Sequence, residues 1–454
     1  MKLLCLSNGH GEDAIALRIL RELQQHPHPP EIAVFPLVGE GQAFAQLENA
    51  RIIGPVQRMP SGGFIYMDGK EFLRDVKGGL LQLTLAQFKA IRAWVRSPQQ
   101  SENQDAVILA CGDIVPLLFA WLGGAPYAFL GTAKSEYHLR DEEGLLARKS
   151  RPWAWKIWSR SVYFPWERWL MTRKACKAVF VRDALTAETL QKLGIPAYNL
   201  GNPMMDGLEP ENPARFYGPD AEFRERSRSL VITLLPGSRA PEAYANWLLI
   251  VEAVAGILSL FADRKLLFFG AISPQLNLEA LRPSLEFFGW RQDGETITQR
   301  REGSILRPPV SSAQEIQKAS PNLLLPLTFV QRKATMILTQ QSFNDCLSEA
   351  DLAIATAGTA TEQFVGLGKP AIAIPGNGPQ FTQTFAQAQS RLLGPSLILV
   401  KHPAEVAGTI QSLLRDPDRL QLIAENGWRR MGESGASARI AECLIQLFGE
   451  SNDS

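Results

Sequence analysis

Short, uninterrupted apolar runs alternate along this chain with stretches in which apolar residues recur every three to four positions. In the first half the runs are 2–6, 31–37, 106–110, 127–130 and 178–181; in the second they are 230–235, 265–269, 352–355, 371–374 and 397–400. Each is rich in Val, Ile, Leu and Phe and closed by Gly, Pro or Asp, which predicts strands buried on both faces of a parallel sheet. Two such series predict an α/β chain of two doubly wound, Rossmann-like domains. The Gly/Pro-rich stretch 201–219 marks the join. The first domain therefore takes 1–205, a linker 206–229, the second domain 230–435, and an amphipathic helix with a fraying tail takes 436–454.

Composition narrows the picture. A length of 454 residues exceeds one ordinary core, and 45% apolar with 20% charged residues is the balance of a globular protein. A formal net charge of +1 and the lack of any zinc-finger or other nucleic-acid signature argue against a nucleic-acid partner. Five widely spaced cysteines without a CxxC read as small core residues in a reducing compartment. The N-terminal apolar run is too short for a signal peptide, and no apolar run reaches 18 residues, so a cytoplasmic location is expected.

One stretch departs from this background. Between Arg148 and Lys177 stand nine Lys or Arg against a single acid, Glu167. Five of the ten tryptophans (Trp153, Trp155, Trp158, Trp166, Trp169) fall in the same stretch. Indole interleaved with cations suits the headgroup layer of an anionic membrane surface. A core stripe with a solvated cationic face is the alternative reading.

Chemistry concentrates where the second-half strands end. Leu234-Leu235-Pro236-Gly237-Ser238-Arg239 closes one strand: Gly237 permits close backbone approach, Ser238 can cap the next helix or donate, and Arg239 offers a fork to phosphate beside a helix start that attracts anions. A plain capped turn with a surface arginine would look the same. Thr356-Ala357-Gly358-Thr359 closes another strand, with Glu362 one turn into the following helix, placed for a ribose diol or for simple capping. Gly376-Asn377-Gly378-Pro379-Gln380-Phe381-Thr382-Gln383 follows a third. Three polar turns on strand ends of one sheet point to a nucleotide-diphosphate site.

These residues resemble the donor-binding half of GT-B glycosyltransferases, and among them lipid-A-disaccharide synthase, with a looser likeness to the muramyl-lipid N-acetylglucosaminyltransferase. The carriers are LLPGSRAPE at 234–242, the run 337–376 and GNPMMD at 201–206. The resemblance implies two Rossmann-like domains facing a cleft and a UDP-sugar donor. It implies that Arg239 and the Gly358-Thr359 turn hold the diphosphate, Glu362 the ribose, and Gln380 and Gln383 the sugar or a phosphate. It also implies no metal or other cofactor. The Trp-rich basic stretch in the first domain adds the expectation of a lipid or lipid-linked acceptor and of a peripheral place on the inner face of a membrane. Two readings of the same architecture stay open: a UDP-sugar 2-epimerase, and a nucleotide-sugar-binding membrane scaffold without catalysis.

An acceptor and its base would belong to the first domain. The first strand runs into Ser7-Asn8-Gly9-His10-Gly11-Glu12-Asp13. Asn8, Gly9 and Gly11 would let backbone amides approach bound groups, His10 or Glu12 could act as base, and Asp13 would cap the helix. Asp113, at the end of another buried run, is the third candidate base and the first by resemblance, with helix capping as its alternative role. The remaining histidines show no metal spacing.

Overall fold

The computed structural model describes residues 1–39, 41–55, 80–97, 105–146, 161–211, 229–293, 326–376, 378 and 380–449, with the side chains of His10, Leu80 and Leu81 outside the description. The chain forms two units, 1–206 with 432–454, and 207–431.

The first unit takes the chain through β1 (Lys2–Ser7), α1 (His10–Gln25), β2 (Glu31–Pro36), β3 (Arg51–Ile52), α2 (Leu80–Arg96), β4 (Ala106–Gly112), α3 (Ile114–Gly123) and β5 (Tyr127–Gly131). A small antiparallel ladder follows, β6 (Arg140–Asp141) with β7 (Gly144–Leu145), then α4 (Pro165–Met171), β8 (Cys176–Val181), α5 (Ala184–Gln191) and β9 (Ala197–Tyr198). Seven strands form one parallel sheet in the order β3-β2-β1-β4-β5-β8-β9. Every residue of β1 and β5 is buried, as expected where helices cover both faces. Leu4, Leu6, Phe35, Ile108, Leu117 and Phe129 belong to one core cluster of this unit.

The second unit contains β10 (Leu230–Leu235), α6 (Glu242–Leu260), β11 (Leu266–Ala271), α7 (Arg282–Phe287), β12 (Arg291–Gln292), β13 (Leu327–Gln331), β14 (Ala334–Thr339) and α8 (Phe343–Glu349). It continues through β15 (Leu352–Ala355), α9 (Thr359–Gly366), β16 (Ala371–Ala373), α10 (Gln383–Leu393), β17 (Leu397–Leu399), α11 (Glu405–Leu414) and α12 (Pro417–Met431). The sheet order is β12-β13-β14-β11-β10-β15-β16-β17, parallel except where β13 pairs antiparallel with β12 and β14. Helix α6 is apolar and long enough to cross a membrane by composition alone. Its apolarity is accounted for by the core, where Trp247, Ile250, Val251, Val254 and Ile257 are buried and the Trp247 indole N–H donates to Ser284 Oγ at 2.9 Å.

The last helix, α13 (Ala436–Gly449), differs from the sequence reading, which set 436–454 behind the second domain. It belongs to the first unit. Ala436, Ile440, Leu444 and Phe448 recur every four residues and are buried, and the helix lies against α1. Asp206, the last residue of the GNPMMD motif, fastens its start. Its carboxylate accepts the backbone N–H groups of Gly435, Ala436 and Ser437 at 2.6, 3.0 and 2.7 Å.

The hairpin β13–β14 has no counterpart among the sequence-derived strands. Its two-residue turn is Arg332-Lys333, with Arg332 at φ 53, rather than the Asn-Gly or Asp-Gly that announces such turns.

Candidate functional site

In each unit the strand order reverses beside the first strand, the place at which open parallel sheets bind ligands beyond the carboxyl ends of the two flanking strands. In the second unit these strands are β10 and β15. The Pro236–Arg239 turn and the Thr356–Gly358 turn leave them side by side: a Cβ on Gly237, whose φ is +100, would stand 3.7 Å from Thr356 O. Thr356 N–H donates to Leu235 O at 2.9 Å, locking one turn to the other. Ser238, Arg239 and Thr359 are exposed and Glu362 is half-buried.

The helix starts differ from each other. Those N–H groups of α6 that bond locally do so within its own turn: Ala243 to Arg239 O at 2.9 Å and Tyr244 to Pro241 O at 3.2 Å. Pro241 occupies the cap position, so Ser238 does not cap α6. In α9 the first N–H groups have no intrahelical acceptor, and the cap residue, Gly358, has no side chain to offer them. The anion-attracting start is therefore that of α9, entered through Gly358.

The third turn, after β16, is drawn onto the same region by buried side chains. Glu242 on α6 accepts Gln380 N–H at 3.1 Å and Phe381 N–H at 2.6 Å. Asn246 on α6 donates to Pro236 O at 3.2 Å, and Gln389 on α10 donates to Gly358 O at 2.9 Å. Thr382 caps α10, so Gln380 and Gln383 stand exposed on either side of that cap. Asn377 and Pro379 lie outside the described residues. Sequence reasoning missed Glu242, Asn246 and Gln389, which sit within helices whose periodicity marks them only as polar interruptions of an apolar face.

In the first unit the corresponding strands are β1 and β4, with Ser7 opposite Cys111. Gly9 and Gly112 both take positive φ (127 and 130), and a Cβ on Gly112 would lie 3.1 Å from Asn8 Cβ and 3.3 Å from Glu12 Cγ. Asn8, Glu12 and Asp113 therefore share one corner, while Gly11 is exposed. Asp113 accepts Val115 N–H at 2.9 Å and so caps α3, and the Asn8 side chain hydrogen-bonds to it as well. Thr132, just beyond β5, donates to Glu12 Oε1 at 3.5 Å. His10 opens α1. Asp13 was expected to cap that helix; Gly9 holds the cap position, and Asp13 stands in the first turn.

Burial raises the pKa of both carboxyl groups above the ordinary range. At Glu12 its own backbone N–H opposes the rise, the charges of Asp113 and Asp13 add to it, and Thr132 offsets part. At Asp113 the Val115 N–H, Lys134 and Asn8 pull the other way, while Glu167 adds to the rise. Lys134 was not singled out in the sequence. Lys134 Nζ lies 2.6 Å from both oxygens of Glu167, which is 1% exposed. Glu167 was visible as the lone acid of the basic stretch; only the fold shows that it closes on Lys134.

The folded chain binds these protons more tightly than the unfolded chain does. Stability contributed by the two groups therefore falls as pH rises from the unfolded carboxylate value of about 4 through the raised folded values. Glu12→Gln removes a half-buried charge, so it raises the melting temperature at pH 7, and the gain vanishes as pH is lowered to about 4. Thermal scans at both pH values check this; a gain that persists at low pH contradicts the burial effect.

Of the tryptophans proposed for membrane contact, Trp153, Trp155 and Trp158 lie outside the described residues. Trp166 and Trp169 on α4 are 48% and 45% exposed. Phe164 stacks on Trp166 at 4.8 Å, and the Arg173 guanidinium stands 4.3 Å over Trp169. Among the described residues no three His, Cys, Asp or Glu side chains group as a metal set would.

No family model and no curated protein matches the chain. Solved structures do. UDP-GlcNAc 2-epimerase from Neisseria meningitidis bound to UDP-GlcNAc aligns over 98% of this chain and 100% of its own, at TM-score 0.52 and 13% identity. MurG of Acinetobacter baumannii aligns over 98% and 99%, at 0.51 and 14%. CalG4, the calicheamicin glycosyltransferase, aligns over 100% and 99%, at 0.53 and 13%. At such identities the likeness is one of fold: two Rossmann-like α/β domains with largely parallel sheets, the GT-B fold.

Proposed function

We propose that this chain is a UDP-sugar-dependent hexosyltransferase acting on a lipid or lipid-linked acceptor, similar in kind to lipid-A-disaccharide synthase. The observation that carries the reading is the convergence of three polar turns on one switch point in the second unit, with Gly237 against Thr356 and α9 entered through Gly358. Arg239 and the α9 N–H groups neutralise the diphosphate, whose charge grows as UDP departs. Glu362 takes the ribose, and Gln380 and Gln383 the sugar. The reading includes no bound metal or other cofactor.

The acceptor belongs to the first unit, along Asn8, Gly9 and Gly11. Its hydroxyl gives its proton to Asp113 and attacks the anomeric carbon as the glycosidic bond to UDP breaks. A carboxylate with a raised pKa is a stronger base than an ordinary one, and Asp113 has that property. Glu12 and His10 are the neighbouring candidates. The exposed aromatics of α4 beside Arg173 support a peripheral place on an anionic membrane surface facing the cytoplasm.

A UDP-sugar 2-epimerase is the second reading, favoured by two carboxyl groups with raised pKa in one corner, which suit withdrawal and return of a proton at a sugar carbon. One assay separates the readings. The chain is incubated with a panel of UDP-sugars, with and without total lipid extract, and UDP and sugar products are followed. UDP release that requires lipid is expected. Epimerised or free sugar without lipid favours the second reading. UDP binding without turnover under any combination leaves a non-catalytic scaffold.

A further inference from the structure

The segment after β16 carries glycine at 376 and 378, and α6 supplies the reason. A Cβ on Gly378 would lie 2.4 Å from the Glu242 carboxyl carbon, and one on Gly376 would lie 2.5 Å from Asn246 Oδ1. Two side chains one helical turn apart on α6 thus occupy the space that side chains at 376 and 378 would need. Glu242, 8% exposed, then grips the segment by its backbone, accepting N–H groups from Gln380 and Phe381. The segment closes on itself through Gly376 N–H to Phe381 O at 2.9 Å. Charge-assisted bonds from a carboxylate in the first turn of a helix hold more firmly than neutral ones.

The turns assigned to the diphosphate are held by other groups. Asn246 secures Pro236, Gln389 secures Gly358, and Thr356 is tied to Leu235. Glu242 is a partner in none of those three bonds. Its grip falls on the backbone at Gln380, three residues before Gln383.

We propose that Glu242 is a positioning residue which sets the sugar end of the donor site, fixing the register of Gln380 and Gln383 while leaving the diphosphate turns in place. This rests on the UDP-sugar reading above. It makes Glu242 a determinant of which hexose is accepted, through the loop and without contact with the sugar.

Isothermal titration with UDP, UDP-N-acetylglucosamine and UDP-glucose tests both levels separately. Wild-type chain that binds no UDP overturns the underlying reading, and the proposal with it. If UDP binds, Glu242→Ala is expected to keep its affinity for UDP within about twofold. Its affinity for the preferred UDP-sugar should fall about tenfold, narrowing the preference between the two sugars. Gly378→Ala displaces the segment from the other side with the carboxylate intact, and it should show the same pattern. In the Glu242→Ala background it should add little, because the atoms it collides with are gone. Parallel losses for UDP and UDP-sugars, or an unchanged sugar preference in folded variants, overturn the positioning role.

Discussion

Asp113→Asn lowers kcat by about 10²–10⁴-fold, the contribution of a positioned general base. The substitution keeps the oxygen that caps α3, because an asparagine Oδ1 accepts Val115 N–H as the carboxylate does. Loss of activity without a fall in melting temperature therefore reports chemistry and not folding. The acid limb of kcat/KM in the wild type should lie above the ordinary aspartate value of about 3.9, since burial raises this group. An asparagine variant with near wild-type turnover removes Asp113 from the reaction, and Glu12→Gln and a His10 variant then become the decisive pair.

The second large effect falls on donor binding. Arg239→Ala is expected to weaken UDP about 10- to 100-fold, because a hydrogen bond to a charged partner contributes about 1.5–3 kcal/mol. The residue is exposed on a turn, so its removal leaves the core of the second unit intact. Arg239→Lys should recover only part of the loss, because an ammonium supplies the charge without the two-pronged fork. Calorimetric titration reads both. Unchanged UDP affinity in the alanine variant would break the link between the Pro236–Arg239 turn and the diphosphate.

Much of this site was legible before any coordinates. Strands buried on both faces must be apolar throughout, so β1, β4, β5, β10 and β15 stand out as continuous runs. Polar residues crowded directly behind such runs mark carboxyl-end turns, which is why Asn8, Asp113, Gly237, Arg239 and Gly358 could be named. The short strands β3, β9 and β12, of two residues each, carry no such signal. Nor did the β13–β14 hairpin, whose cationic turn reads as a surface loop.

The chain order of strands and the composition of their ends determine that there are two largely parallel sheets and that polar turns sit at their carboxyl edges. These are local properties, set by side-chain hydrophobicity and backbone preference over a few residues. Tertiary structure alone decided which turns become neighbours and what holds them there. Glu242 meets Gln380 across 138 residues, and Lys134 meets a buried Glu167. Asp206 meets the start of a helix 230 residues further on, drawing α13 into the first unit. A buried carboxylate needs partners, but the sequence does not say which: that depends on which backbone N–H or cation the packing leaves within about 3 Å of it.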